Sequence, residues 1–227
     1  MTGKTENGNW ILFVHGSEHD TWCWTFFEKY FSKREIHTES VSLQTNGSSN
    51  SLDDYAEKIH KAVNRQNVNP IIITHSLGSS ILQRYLKKYN DPIKKIVFLS
   101  PTPPKHIWRT LFQVKCNMLR QNKASLFFSN KPDAVTIKKY IGKLKRESFK
   151  AQMQAMKRVW NKTDVPKIPC LVIGAWDDRC MPISSICDMG RFLNSKTVIL
   201  PDLSHDMMLA PEWERVADEI LIFIDEE

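Results

Sequence analysis

Short apolar runs recur along the chain and predict its strands. Each run consists of β-branched or aliphatic residues and is followed closely by Gly, Ser or Pro. Because both faces of such a run are apolar, the runs are typical of buried parallel strands rather than of half-exposed ones. The clearest runs lie at residues 10–14, 70–74, 93–100 and 170–173, and weaker ones lie at residues 36–43 and 197–200.

Segments with helical periodicity separate these runs. In residues 52–63, Leu52, Tyr55, Ile59 and Val63 recur at the spacing of one helix face. Residues 22–31, 79–89 and 212–224 are also predicted to be helical. Alternating strands and helices predict the α/β class, with about six strands in a mostly parallel, doubly wound sheet joined by right-handed crossovers.

The alternation stops after Ser100 and gives way to a helical pattern alone. Helices are predicted at residues 107–119 and 135–160, and a slip in the apolar stripe at residues 146–148 divides the second into two. We therefore expect one core built from residues 1–100 and 165–227, with residues 101–164 inserted as a helical unit between two strands.

Composition narrows the class of protein. The chain has 227 residues, 41% of them hydrophobic and 25% charged, which excludes a disordered or collagen-like protein. No apolar run approaches the roughly 20 residues that span a bilayer, and the opening residues lack the apolar stretch of a signal peptide. Five cysteines form no C-x-x-C pair. We expect a cytoplasmic protein with reduced, packed thiols and no membrane span.

The positive charge is concentrated in the insertion. The formal net charge is +7, yet residues 101–167 contain 16 Lys and Arg against 3 acidic residues, while the rest of the chain has an acidic excess. A basic surface attracts acidic partners, so the insertion could favour an anionic substrate or an acidic carrier protein bearing an acyl group. A solvated helix face is the simpler interpretation. No aromatic interleaving or recognition motif accompanies the bases, so nucleic acid is not expected.

A candidate nucleophile follows the third predicted strand. Residues 74–78 read T-H-S-L-G and lead into a helix. A sharp strand-turn-helix bend of this kind lifts the serine hydroxyl above the sheet, which places Ser76 at its tip. A serine that merely caps the helix is the competing interpretation. His75, its neighbour, is expected to point away from the turn and to be packed.

Two later loops supply the other groups that serine catalysis needs. His205 follows the last strand and can act as the base, and Asp178 follows the strand at residues 170–173 and can orient the imidazole. Asp177 is the alternative acid. The chain order Ser, Asp, His is that of the α/β-hydrolase fold. We assign the two oxyanion donors to the backbone N–H groups of Leu77 and Ser17.

These residues carry a resemblance to a known family. The chain resembles an α/β-hydrolase, and residues 15–24, H-G-S-E-H-D-T-W-C-W, are similar to the H-G-x-x-H-x-x-W-x-W opening of plant methylesterases, hydroxynitrile lyases and related bacterial serine hydrolases. The resemblance implies an α/β-hydrolase fold whose helical insertion caps the active site. It also favours Asp178 as the acid, four residues before Pro182. Thr74 departs from the usual glycine and puts a branched side chain where little room is expected.

Function follows as an expectation. The leading hypothesis is hydrolysis of a carboxylic ester, lactone or thioester through an acyl-enzyme on Ser76, with a small acyl compound as substrate. Two alternatives remain: a lyase or other non-hydrolytic catalyst using the same triad, and a binding protein on a hydrolase scaffold. The resemblance places His19 in the substrate pocket, and Met207 is taken as pocket wall or core. No dinucleotide fingerprint, phosphate loop or metal-ligand spacing is present, so no cofactor or metal is expected.

Overall fold

The strands of the protein form one six-stranded parallel sheet. The computed structural model describes residues 8–43, 49–105, 110, 112, 121–129, 132–157, 160–161 and 167–226. The strand order is β2-β1-β3-β4-β5-β6, and every neighbouring pair is parallel. The predicted sheet is therefore confirmed. The strands are β1 (Trp10–Val14), β2 (His37–Val41), β3 (Ile71–His75), β4 (Lys95–Leu99), β5 (Cys170–Ala175) and β6 (Lys196–Leu200).

Helices cover both faces of the sheet and create two hydrophobic cores. One cluster packs α2, α3 and α7 against one face, and the other packs α1 and α8 against the opposite face. β1, β3 and β4 are buried along their whole length, which explains why their sequences are apolar on both faces. The helices are α1 (Thr25–Ser32), α2 (Leu52–Val63), α3 (Gly78–Lys88), α7 (Ile183–Leu193) and α8 (Trp213–Asp225).

Local sequence signals set several of these helix ends. Ser51 caps α2: its hydroxyl accepts from the Asp54 N–H, while the Asp54 carboxylate accepts from the Ser51 N–H. This reciprocal pair satisfies two backbone donors that the helix leaves unpaired. A 3-10 turn, Thr21–Trp24, precedes α1 and replaces the first turn of the helix predicted at residues 22–31.

The insertion between β4 and β5 contains α4 (Lys123–Phe128), α5 (Ala134–Ile141) and α6 (Phe149–Met156). The break predicted at residues 146–148 falls between α5 and α6. The helix predicted at residues 107–119 lies outside the described residues, apart from residues 110 and 112. Within the described residues, no helix combines the length and the apolar character needed to span a membrane.

The parallel sheet brings the chemically important loops together. Since all six strands point the same way, the loops after β1, β3, β5 and β6 emerge at one edge of the sheet, where α/β proteins bind their ligands. The residues predicted to carry chemistry lie in these loops, and the insertion leaves the sheet at the same edge.

Candidate active site

The turn after β3 holds Ser76 in a strained conformation. Ser76 has φ 50°, in the left-handed region that non-glycine residues rarely occupy. Its N–H donates to the Leu99 carbonyl at 3.0 Å, which ties the turn to β4. The branched side chain of Thr74 is accommodated at this turn. It is fully buried, and its Oγ1 lies 3.5 Å from the Val97 carbonyl oxygen. The sharp turn therefore forms without the usual glycine.

Two glycines let the turn approach the loop after β1. A Cβ on Gly78 would lie 2.7 Å from the Val14 carbonyl oxygen, and one on Gly16 would lie 3.0 Å from Cβ of Ser76. The first distance excludes a larger residue unless the backbone moves, and the second would force the neighbouring atoms apart. The H-G loop and the serine turn are thus packed directly against each other.

A hydrogen-bonded chain links Ser76, His205 and Asp178. Nε2 of His205 lies 3.1 Å from Oγ of Ser76, and Nδ1 lies 2.8 Å from Oδ2 of Asp178. The carboxylate accepts the Nδ1 proton, so Nε2 can accept the serine proton. Burial alone would lower the pKa of His205, but the Asp178 carboxylate, with a smaller contribution from Asp206, outweighs burial and raises that pKa above its ordinary value.

Asp178 is itself held by the backbone. Its Oδ1 accepts from the N–H groups of Cys180 and Met181, both at 2.7 Å, and its other oxygen faces His205. The neighbouring acid lies differently: the Asp177 N–H donates to the Leu203 carbonyl. Of the two candidate acids, the structure places Asp178 against the imidazole.

A cavity of about 320 Å³ opens over Ser76. Ser17, Leu77 and His205 line it beside the serine, so the predicted oxyanion donors and the base face one space. Its remaining wall is mainly apolar and comes largely from α4, α6 and the loop after β5. These wall residues include Leu126, Phe127, Ala155, Met156, Cys180 and Met181. α4 was not predicted from the sequence, although it supplies two of them.

Of the two residues expected in the substrate pocket, His19 and Met207, the structure places only His19 at the cavity. His19 lines the cavity, whereas Met207 is fully buried in the hydrophobic cluster beneath and is not among the described residues of the cavity wall. The pocket assignment of Met207 is therefore corrected to core packing. His75 also reaches the cavity wall, and its Nε2 donates to the His205 carbonyl at 3.1 Å. Burial keeps the pKa of His75 well below its ordinary value, so the ring is neutral.

Asp206 is a site residue that the sequence did not single out. It is fully buried, and its Oδ2 lies 3.0 Å from Nε2 of His19. The sequence gives no signal for Asp206, because its partner His19 lies 187 positions earlier in the chain. Only the adjacency of the loops after β1 and β6 brings the two together.

Two groups of side chains near the serine have atoms close enough to hold a metal ion. They are His75, His205 and Asp206, and Asp178, Cys180 and His205. Both groups share His205, whose two ring nitrogens are already engaged by Ser76 and Asp178. Burial also keeps the pKa of the Cys180 thiol well above its ordinary value, which disfavours the thiolate that metals bind. The donor set therefore fits acid-base chemistry better than metal binding.

Comparison with known proteins identifies the family. The model of the Alpha/beta hydrolase family matches residues 11–219. The chain belongs to the alpha/beta hydrolase family. A search of curated protein sequences gives no match. The fold class and the resemblance expected from the sequence are thus confirmed, and this hydrolase has the six-stranded parallel sheet with inserted helices that the family implies.

Solved structures share the fold of this hydrolase at low sequence identity. A thermophilic esterase from Thermogutta terrifontis is 16% identical, with a TM-score of 0.76 over 96% of this chain and 90% of that one. A methylesterase from Arabidopsis is 15% identical, with a TM-score of 0.76 over 95% and 98%. A monoacylglycerol lipase from Paleococcus ferrophilus is 18% identical, with a TM-score of 0.73 over 95% of each chain.

Proposed function

We propose that this alpha/beta hydrolase cleaves carboxylic esters or thioesters, lactones included, through an acyl-enzyme on Ser76. The observation that carries the proposal is the continuous hydrogen-bonded chain from the serine hydroxyl through His205 to Asp178. Ser76 Oγ attacks the carbonyl carbon while His205 Nε2 takes its proton. The imidazolium, stabilised by Asp178, then protonates the leaving group. Water attacks the acyl-enzyme by the same route and releases the acid.

The oxyanion of each tetrahedral intermediate needs donors on the opposite side of the carbonyl. Leu77 directly precedes α3, where the helix dipole and backbone N–H groups favour negative charge. Ser17 lies on the facing loop and lines the same cavity. Their backbone N–H groups are our candidates for the oxyanion hole, and neither side chain is required for that role.

The cavity wall favours an uncharged, apolar acyl group. Leucine, phenylalanine, alanine and methionine side chains dominate the side formed by α4, α6 and the loop after β5. Burying a charged acyl chain against them would carry a desolvation cost, because the described cavity residues on this side offer no charged partner. We therefore place the acyl group against this wall and the leaving group toward the mouth.

Covalent labelling tests the nucleophile. A fluorophosphonate should modify Ser76, identified by peptide mass spectrometry, and Ser76→Ala should abolish labelling and lower kcat on p-nitrophenyl esters by several orders of magnitude. Ser204→Ala is the matched control, because Ser204 is a buried serine beside His205 whose hydroxyl has no hydrogen-bond partner in the described part of the chain. It should label normally. Labelling at another serine, with Ser76→Ala fully active, would overturn the mechanism.

Labelling and turnover, measured together on a panel of substrates, separate the competing functions. Hydrolysis requires continued turnover of the ester, with an initial burst of p-nitrophenol where deacylation is the slower step. Activity on esters of increasing acyl length should show how long an acyl chain the apolar wall accommodates. Acyl thioesters and lactones extend the panel to the other substrate classes. Labelling at Ser76 without turnover of any ester, thioester or lactone would instead support the non-hydrolytic alternative, and absence of both would support binding alone.

A further inference from the structure

Buried histidines near the nucleophile differ in the partners of their ring nitrogens. In His15, Nδ1 donates to the Gly16 carbonyl at 2.8 Å, and Nε2 accepts from the Leu43 N–H at 3.1 Å. One donor and one acceptor define a neutral imidazole. His205 likewise donates from one nitrogen and accepts at the other. His19 departs from this pattern.

Both partners of His19 are hydrogen-bond acceptors. Nδ1 lies 2.8 Å from the Ser17 carbonyl oxygen, and Nε2 lies 3.0 Å from Oδ2 of Asp206. A carbonyl and an ionised carboxylate can only accept, so both nitrogens of His19 must carry protons. The ring is then an imidazolium, although only 2% of its surface is exposed.

The charges around His19 support this assignment. Burial alone would lower its pKa, but the Asp206 carboxylate, with the Ser17 carbonyl and Glu18, outweighs burial and raises that pKa. Burial would raise the pKa of Asp206, and His19 in turn lowers it. The charged pair is therefore favoured over the neutral one. Other titratable groups that interact with the pair are His15, Glu18, Cys23, His75, Cys180 and His205.

The pair joins the two loops that the proposed reaction needs. Glu18 has φ 64°, and this left-handed turn brings the His19 ring back to the carbonyl of Ser17. The orientation of that carbonyl constrains the plane of the Ser17–Glu18 peptide and hence the backbone at Ser17. On the other side, Asp206 directly follows His205, and its N–H donates to the Phe127 carbonyl of α4 at 3.0 Å.

We propose that His19, held as an imidazolium between Ser17 and Asp206, is a positioning residue that fixes the oxyanion loop relative to the loop of the catalytic base. The inference rests on the proposed hydrolase function. His19 does not touch the reacting atoms in this role, because both of its nitrogens are occupied by the protein. It holds the Ser17 backbone in place, and its charge balances Asp206 beside His205.

Direct observation of the protonation state is the first test, and it does not depend on activity. In uniformly ¹⁵N-labelled wild type, the ring nitrogens of His19 should both show shifts of protonated nitrogen through neutral pH, with the signals assigned by their loss in His19→Gln. Asp206→Asn should convert His19 to the neutral form. A neutral His19 in wild type would overturn the proposal.

Kinetics supply the second test. His19→Gln should lower kcat about 10- to 100-fold with little change in KM, since a small displacement of one oxyanion donor costs a rate of that order. The variant also leaves Asp206 as an uncompensated anion, so the acid limb of the kcat/KM profile should move to higher pH. Asp206→Asn removes the anion and also leaves His19 neutral, so the charge balance beside His205 is kept and the acid limb should stay close to that of wild type.

A shift of the acid limb in His19→Gln alone distinguishes positioning from a merely structural role. The double variant His19→Gln/Asp206→Asn restores charge balance, so its limb should return toward that of wild type while kcat stays low. His15→Gln is the matched control, a buried neutral histidine on the same loop, and should leave the limb in place. The same upward shift in Asp206→Asn, no shift in His19→Gln, or an unchanged kcat in His19→Gln would overturn the proposal. An inactive, unlabelled wild type would overturn the hydrolase function while leaving the NMR result standing.

Discussion

At the scale of single residues, the members of the candidate site differ in how far the sequence could predict them. Ser76, Asp178 and His205 could be predicted because each follows a recognisable strand, and their order along the chain constrains their roles. Asp206 could not, because its role depends on contact with a residue on a distant loop. Met207 was assigned too broadly: an apolar residue beside a catalytic loop fits a pocket wall and a core equally well in sequence, and burial decides for the core.

The two adjacent acids give a prediction at this scale. Asp178→Asn should lower kcat about 10³- to 10⁴-fold, since an amide can hold His205 in the wrong tautomer, as in other triads. Asp177→Asn is the matched control and should change kcat only slightly, because Asp178 is the acid against the imidazole. Steady-state kinetics on one p-nitrophenyl ester measure both. The opposite ranking would transfer the role of acid to Asp177.

The pH profile of wild type should report the same carboxylate. Only neutral His205 accepts the serine proton, so kcat/KM should rise with pH through its pKa, which Asp178 raises above the ordinary value of 6.5. The half-maximal point should therefore lie above pH 6.5 in wild type. It should move to lower pH in Asp178→Asn, because removing a neighbouring anion destabilises the imidazolium. A rate that is flat between about pH 5 and 8 would argue against His205 as the base.

At the scale of elements, the regular alternation of the core was predictable and the insertion was less so. The central strands could be predicted from continuous apolar runs, because these strands are buried on both faces. The edge strands β2 and β6 are partly exposed along most of their length, which explains their weaker apolar pattern. α4 has only six residues, too few for an apolar periodicity to be read, yet it forms part of the cavity wall.

A network of contacts fastens the insertion to the core. Glu147, between α5 and α6, is buried, and its Oε1 accepts from the Tyr55 hydroxyl of α2 at 2.7 Å. The Lys145 N–H donates to the Glu18 carbonyl at 2.8 Å, and Lys123 pairs with the Glu18 carboxylate at 2.6 Å. The insertion therefore holds the loop that also carries Ser17.

Removing the buried acid should loosen the insertion. Glu147→Ala leaves the Tyr55 hydroxyl without its acceptor, which costs about 1–3 kcal/mol. We expect faster hydrogen exchange in α5 and α6 and a smaller free energy of unfolding, measured by urea denaturation. Lys61→Ala is the control, because its ion pair with Glu57 is exposed and contributes little. Equal effects of the two variants would show that Glu147 does not fasten the insertion.

At the scale of the whole molecule, the concentration of charge was visible in sequence but its arrangement was not. Of the basic residues in the insertion, Lys123 and Lys145 pair with Glu18 and Asp20 beside the cavity. These pairs balance charge at the site itself. Other bases of α5 and the segments around it remain exposed, namely Lys138, Lys139, Lys143, Arg146 and Lys150. These ion pairs form because the fold brings distant loops together, and the composition of the chain does not predict that contact.

The exposed bases should act on association rather than on chemistry. If they attract an anionic substrate or an acidic carrier, Lys138→Glu/Lys139→Glu should lower kcat/KM for an anionic p-nitrophenyl ester more than for a neutral one, with kcat unchanged. The difference should shrink as salt rises, because screening acts over about 10 Å at 0.1 M.

Charge reversal elsewhere supplies the control for this prediction. Lys33 follows the end of α1, and Lys61 lies in the last turn of α2; both are exposed. Crossover helices run back toward the opposite edge of the sheet, so these two lysines lie away from the cavity. Lys33→Glu/Lys61→Glu makes the same change in net charge and should leave the preference between the two esters unaltered. An equal loss with both pairs of substitutions would assign the effect to net charge, and no loss with either would leave the insertion's bases as a solvated surface.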